Sequence, residues 1–107
     1  LGLDGKFIGV VAEGLLLPAC VHIHGDWAVI GELRGRVSIL DKKGNIFARV
    51  SGNEKKDEIG TNRTAPEKWC EGVVTAPHGI TCNAKGDIFV AEWKITGRVH
   101  RFNHVPN

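Results

Sequence analysis

Short apolar runs separated by glycine-containing turns make up most of the chain. The runs Trp27–Ile30 and Ile88–Ala91 are apolar at every position, which predicts strands buried on both faces. The turns Gly25-Asp26 and Lys85–Asp87 precede these runs and predict hairpins, because glycine adopts the positive φ that tight turns need. Strands are predicted at Lys6–Val11, Cys20–His24, Trp27–Ile30, Arg36–Leu40, Asn45–Val50, Gly79–Asn83, Asp87–Glu92 and Arg98–Phe102.

Two segments of the chain repeat one motif. Each begins with a proline, passes through a hairpin into an apolar strand that ends in glutamate, and closes with Gly-Arg-Val. The corresponding residues are Pro18, Glu32 and Arg36 in the first copy and Pro77, Glu92 and Arg98 in the second. A shorter echo relates Leu3–Val11 to Leu40–Val50. Such repetition predicts a fold built from similar units that stack on one another.

The two fully apolar strands favour one all-β architecture over another. A sandwich buries only one face of each sheet, so its strands alternate apolar and polar positions. A propeller blade is covered on both faces by its neighbours, which accounts for apolar middle strands without alternation. The pattern therefore predicts four-stranded antiparallel blades, about two in this chain.

The repeated segments resemble a known family, the NHL-repeat type of six-bladed β-propeller. The resemblance covers nearly the whole chain, including a loop similar to that of bacterial members at Gly52-Asn53, Pro66–Trp69 and Gly72. It is carried most clearly by Pro77–Ile80, Gly86–Trp93 and Gly97–Val99, and in the preceding blade by Leu17-Pro18, Gly25-Asp26, Glu32-Leu33, Gly35–Val37 and Leu40-Asp41.

The resemblance implies a division of the chain and a missing remainder. Residues 1–16 would form the outer strand of a preceding blade, 17–50 the first blade, 51–74 a long loop and 75–107 a second blade of three strands. Two blades leave apolar faces and strand edges in water, which favours association. We therefore expect a homo-oligomer, with a trimer closing the ring as the first expectation; the alternative is that the chain is part of a longer polypeptide.

Composition narrows the choice of partners and compartment. The chain has 107 residues, of which 42% are hydrophobic and 24% charged, and its net charge is only +2. A nucleic-acid-binding domain is usually more basic, so no nucleic-acid partner is expected. No apolar run approaches the roughly 20 residues that cross a bilayer, so no membrane partner is expected either. We expect a soluble protein, cytoplasmic or periplasmic.

The three cysteines, Cys20, Cys70 and Cys82, cannot all pair within one chain. Their odd number and irregular spacing argue against a disulfide framework and favour buried free thiols. The other possibility is a Cys–His metal site, which no Cys-x-x-Cys pair supports.

Candidate chemistry lies at one end of the second repeat. His78 begins one strand and Glu92 ends the strand that pairs with it, with Trp93 next to it, so these side chains are predicted at one end of the blade. Together with Glu32 of the first repeat they are the candidate ligand-binding residues of the channel face. A histidine beside a carboxylate could act as an acid/base pair or bind a metal. In a trimer, three copies of His78 could approach one axis and bind zinc.

Structural roles compete with these chemical ones. Glu32 and Arg36, and likewise Glu92 and Arg98, recur together in both repeats, which favours two ion pairs that hold the fold. The imidazole of His78 could simply bind a backbone carbonyl. His22 and His24 would share one side of a strand, where a two-ligand metal site or exposed histidines are both possible. His100 and His104 are expected on the exterior.

Two functions remain open from the sequence. The first is a binding or interaction module whose ring presents loops and a channel to a ligand. The second, implied by resemblance to the amidating-lyase type of propeller, is a metal-dependent lyase or hydrolase with zinc or calcium as cofactor; only His78 matches that pattern, and loosely. The common nucleophile, metalloprotease, phosphate-loop and dinucleotide motifs are absent from the sequence.

Overall fold

The computed structural model describes residue 5 and residues 7–52, 73–93 and 97–105. These residues form an all-β protein of two antiparallel sheets, with no helix in the described ranges. The first sheet has the order β1-β2-β3-β4, and the second has the order β5-β6-β7. The strands are β1 (Pro18–His24), β2 (Trp27–Glu32), β3 (Arg36–Leu40), β4 (Ile46–Gly52), β5 (Pro77–Cys82), β6 (Ile88–Glu92) and β7 (Val99–Phe102).

The first sheet is a meander whose register follows from its tight turns. Val21 pairs with Ile30 across β1 and β2, and Ile30 pairs with Ser38 across β2 and β3. Gly25, in the turn between β1 and β2, has a φ of 58°, as the hairpin prediction required. Because successive residues of a strand point to opposite faces, β2 directs Val29 and Gly31 to one face of this sheet and Ile30 and Glu32 to the other.

The second sheet repeats this arrangement with three strands. Ile80 pairs with Val90 across β5 and β6, and Val90 pairs with His100 across β6 and β7. The turn between β5 and β6 is held by Asn83, whose side-chain oxygen accepts hydrogen bonds of 3.0 Å from the amides of Lys85 and Asp87.

The main hydrophobic core lies between the two sheets. Val29 and Val37 of the first sheet meet Ile88 and Val90 of the second, together with Val74 from the segment that leads into β5. All five side chains are buried. Burying each such side chain contributes about 2 kcal/mol, so this contact is the main apolar term that joins the sheets.

Gly31 allows the sheets to approach closely. A Cβ added there would lie 3.5 Å from the Cβ of Pro77 and only 2.6 Å from the sulfur of Cys20. The absence of a side chain therefore lets β2 pack directly against the start of β5.

The opposite face of the first sheet carries Ile30, Ser38 and Leu40, which are also buried. The segment before β1 passes along this side, because Val11 contacts Gly44 and the amide of Leu16 binds Glu32. The middle of the first sheet is thus buried on both faces, whereas Val21 and Ile23 of β1 remain exposed.

Several predictions need correction. The strand expected at Lys6–Val11 is not found, since residues 7–11 belong to no strand and carry exposed apolar side chains. Burial on both faces holds for β2 from Val29 onward, but in β6 Ala91 is exposed. Residues 51 and 52, expected at the start of the long loop 51–74, belong to β4, which continues to Gly52. The polar segment Asn53–Glu58, whose composition is compatible with a helical turn, lies outside the described residues.

In the described ranges the structure contains no helix long and apolar enough to span a membrane.

Candidate functional site

Glu92 is the most heavily hydrogen-bonded side chain at the predicted site. Its oxygen Oε1 accepts hydrogen bonds from the amides of Thr75 and Ala76, at 2.5 and 3.0 Å, and from the Thr75 hydroxyl at 3.0 Å. Its oxygen Oε2 accepts bonds from Arg98 Nε at 2.5 Å and from His100 Nε2 at 2.7 Å. With its side chain wholly inaccessible to solvent, this carboxylate has no lone pair left to offer a substrate.

These contacts control the charge of Glu92. Burial alone would raise its pKa, but the hydrogen bonds from His100, from the amides of Thr75 and Ala76 and from Arg98 together lower that pKa far below the ordinary value of 4.5. Glu92 is therefore ionised at neutral pH, and it acts as an anchor for cationic and N–H donors rather than as a proton donor.

Glu32 occupies the corresponding place in the first sheet. Its carboxylate accepts bonds from Arg36 Nε and Nη2, at 2.9 and 2.6 Å, from the Ser38 hydroxyl at 2.5 Å and from the Leu16 amide at 2.8 Å. Burial raises its pKa, whereas the bonds from Arg36, Ser38 and Leu16 outweigh this and lower the pKa below its usual value. The two expected ion pairs, of Glu32 with Arg36 and of Glu92 with Arg98, are both present.

The similarity of the two networks extends to the backbone. Arg36 Nη2 donates to the carbonyl of Gly14, and Arg98 Nη2 donates to the carbonyl of Val73. The amide after each glutamate also donates to the residue before each proline, at 2.8 Å in both copies: Leu33 to Leu17, and Trp93 to Ala76. Each glutamate therefore ties the turn after its own strand to the segment that enters its sheet.

His78 and Trp93 lie at the same end of the second sheet as Glu92 but outside this network. Pro77 pairs with Glu92, so the register predicted for this end is the observed one. The hydrogen bonds of Glu92 nevertheless go to other residues, and both His78 and Trp93 are exposed. The structure thus brings the four candidate residues to corresponding sheet ends, and His78 contacts no carboxylate of the described ranges.

His100 was assigned wrongly to the exterior. It is 9% exposed and directs Nε2 to Glu92. The corresponding position in the first repeat is Ser38, which contacts Glu32 in the same way. An alignment of the two repeats predicts this contact, because His100 and Ser38 each follow the arginine by two residues and each has a side chain that forms hydrogen bonds. His104, by contrast, is exposed, as expected.

The remaining metal-binding candidates do not converge. His22 and His24 share one side of β1 and are half-buried. Among the described residues, no group of three or more His, Cys, Asp or Glu side chains could hold a metal ion. Cys20 and Cys82 are free thiols, and burial raises the pKa of each. Cys70 lies outside the described residues.

A pocket of about 550 Å³ opens between the sheets at the end opposite to Glu32 and Glu92. Sequence reasoning did not identify it. Its walls are contributed by the β1–β2 and β5–β6 turns, by the middle of the first sheet and by the segment after β7. The lining residues are His24, Trp27, Val29, Ile39, Phe47, Cys82, Ala84, Lys85, Gly86, Ile88, His104 and Val105.

Comparison with known proteins adds no information about this site. No family model, no curated protein and no solved structure matches the chain.

Proposed function

We propose that the chain forms adjacent blades of an NHL-like β-propeller, which serves as a binding or interaction module. The observation that carries this proposal is the repetition of one network around Glu32 and Glu92 in two consecutive antiparallel sheets. Both repeats use a buried glutamate to join an arginine, a hydrogen-bonding side chain two residues later and the entering backbone. Structural units that repeat the same hydrogen-bond network typically stack on neighbouring units of the same kind.

The direction of stacking supports a ring. The second sheet contacts the first through the face that carries Ile88, Val90 and Glu92. The first sheet offers the face opposite to Glu32, namely the face of Val29 and Val37. The sheets therefore stack head to tail, and head-to-tail contacts generate either rings or open chains of units. Propellers are the closed form of such stacking for four-stranded sheets.

Unsatisfied apolar surface supports completion of the ring by other copies of the chain. The second sheet ends at β7, where Val99 is 68% exposed, and it has one strand fewer than the first in the described residues. Phe7 and Ile8, near the start of the chain, are 78% and 77% exposed. Within the described residues, this apolar segment has no strand partner and β7 has a free edge. The two complement each other, because strand addition satisfies both backbones. We propose that residues 7–11 of one copy add to β7 of the next, with three copies forming six blades.

A binding role fits the described chemistry better than catalysis. Glu32 and Glu92 are committed to several hydrogen bonds each, so neither carboxylate can exchange protons with a substrate without breaking the structural network. His78 is exposed and has no carboxylate partner among the described residues. No observation in the described ranges favours the metal-dependent lyase or hydrolase, and we retain the binding module.

Sedimentation equilibrium tests the assembly directly. The wild-type chain is expected to sediment with three times the chain mass. The double variant Phe7→Asp/Ile8→Asp is expected to sediment as a monomer, because two carboxylates cannot be buried on a sheet edge without partners. Val105→Asp replaces an equally exposed apolar residue outside the proposed contact and should leave the mass of the assembly unchanged. A folded wild-type monomer, or an unchanged mass in the double variant, would show that this assembly does not form.

A further inference from the structure

The pocket between the sheets combines apolar walls with basic groups at its rim. Trp27 and Phe47 lie on the first sheet with ring centroids 4.4 Å apart, and they remain 38% and 63% exposed. Aromatic side chains left open to solvent inside a concave site supply flat surfaces against which another ring can pack. The volume of about 550 Å³ lies in the range of small-molecule sites, roughly 300–1,000 Å³.

The pocket exists because the two ends of the sheet interface carry side chains of different size. At one end Gly31 allows close contact with Pro77. At the other end, the hairpin positions hold His24 and Trp27, which pair across β1 and β2. Large side chains there cannot interdigitate as closely as at Gly31, so the sheets leave space between the two turns.

Charge distribution defines the class of ligand. Among the residues that the structure describes, the pocket is lined by Lys85, His24 and His104 and by no acidic side chain. In the described part of the chain Lys85 forms no ion pair. The nearest carboxylate in this turn, Asp87, is already bound by Asn83, Arg101 and the amide of His104. A cation beside apolar walls, without an acidic partner, is complementary to an amphipathic anion.

The basic rim is held in a defined geometry. His104 Nδ1 donates to the carbonyl of Lys85 at 3.0 Å, and its ring packs on Gly86, 3.2 Å from the position that a Cβ would take there. This bond holds the imidazole beside the Lys85 turn. Asn83 fixes the amide of Lys85. The turn therefore presents Lys85 and His104 together on one side, opposite to the aromatic pair.

We propose that this pocket binds a small anion with a planar aromatic body, the ring against Trp27 and Phe47 and the anionic group near Lys85 and His104. All lining residues belong to one chain, so the site does not depend on the proposed ring.

Anilinonaphthalene sulfonate is the probe that tests the site, with N-phenylnaphthylamine as its uncharged analogue. Fluorescence titration is expected to show saturable binding of the anion to one site. Trp27→Leu should weaken this binding about tenfold, the effect of losing roughly 1.4 kcal/mol of ring contact. Lys85→Gln should weaken binding of the anion about threefold, as for a partly exposed charge pair, and should leave the uncharged analogue unaffected. Lys43→Gln, in another exposed turn, is the matched control for loss of a lysine.

A measurement on the wild-type protein keeps the test independent of variant folding. Proton NMR of the imidazole C–H groups should show shifts at His24 and His104 during the titration and no shift at His78, which lies at the other end of the sheets. Equal shifts at His78, unchanged binding in Trp27→Leu, or equal losses of both probes in Lys85→Gln would each overturn the proposal. Either of the first two results would show that the pocket is not the binding site. The third result would show that the pocket does not prefer anions. Trimer formation would be unaffected by any of these results, which separates this proposal from the proposed assembly.

Discussion

Glu32 and Glu92 show how one residue type can close a sheet at its end. Each carboxylate lies at the last position of a middle strand, where the backbone of the entering segment and the side chains of the next strand both present donors. A buried charge is tolerated only if it is paired and hydrogen-bonded, and here every contact is made by an N–H or O–H donor. The same structural role explains why these two residues recur in the sequence.

Replacing Glu92 by Gln removes the charge and keeps the shape. The amide nitrogen of the new side chain would face Arg98 and His100, both of which donate hydrogen bonds to this position in the native protein. Leaving a cation without its buried partner typically costs 3–5 kcal/mol, so we expect the free energy of unfolding to fall by about 3 kcal/mol. Urea denaturation followed by circular dichroism measures this change.

Two variants sharpen that measurement. Glu13→Gln alters an exposed carboxylate and should change the stability by less than about 0.5 kcal/mol. Glu32→Gln should cost less than Glu92→Gln, because the Ser38 hydroxyl can turn and accept from the new amide. A loss at Glu92 no larger than that at Glu13 would refute the structural role of this carboxylate.

At the scale of elements, the turns determine which strands pair and which segments contact them. The hairpins at Gly25 and Gly86 were predictable, since glycine readily adopts the positive φ found at both positions. The close contact between Gly44 and Val11 was not, because it joins the turn after β3 to a segment with no strand partner. The expected strand at Lys6–Val11 failed for the same reason: strand propensity of an apolar segment is realised only when an edge is available.

Gly44→Ala tests whether this contact holds the segment before β1 in place. Gly44 has a φ of 84°, and a methyl group there would meet the carbonyl of Val11. Gly25→Ala is the matched control, because its φ of 58° imposes a similar strain of about 1 kcal/mol with no neighbour within 4 Å. We expect Gly44→Ala to lose about 1–3 kcal/mol more than the control, the usual cost of overpacking.

Hydrogen exchange locates the effect of that variant. The amide of Leu16 is protected by Glu32, so it should exchange faster in Gly44→Ala and at the native rate in Gly25→Ala. Equal stability losses in the two variants, with unchanged exchange at Leu16, would mean that the contact of Gly44 with Val11 does not hold the segment before β1 in place.

For the molecule as a whole, stability depends on carboxylates distributed through both sheets. Hydrogen bonds lower the pKa of Glu32 and Glu92 against the effect of burial, and hydrogen bonds to turn donors lower the pKa of Asp41 and Asp87. The folded state therefore binds protons more weakly than the unfolded chain does. The resulting stabilisation is complete above the ordinary carboxylate pKa values, near 4, and is lost as the pH falls below them.

We therefore expect the free energy of unfolding to decrease steadily from about pH 5 to about pH 3, the range in which unfolded carboxylates titrate. Urea midpoints measured across this range would show it. The double variant Glu32→Gln/Glu92→Gln should be less stable at neutral pH and should show a shallower decrease in acid. An identical acid dependence in the double variant would assign the effect to other groups.

Local patterns in the sequence determined the strands and their order. Seven of the predicted strands coincide with β1 to β7 to within two residues at either end, because alternation, apolar runs and glycine turns are properties of neighbouring residues. The repeat of proline, glutamate and arginine likewise predicted the two ion pairs, Glu32 with Arg36 and Glu92 with Arg98.

Tertiary structure decided what lies between the sheets. The burial of His100, the close approach at Gly31 and the pocket beside Trp27 all depend on which face of one sheet meets the other. Such contacts join residues far apart in the chain, and burial of apolar surface has no direction that a local pattern could encode. The sequence by itself therefore determined the elements and their internal register, and packing between the sheets decided the site.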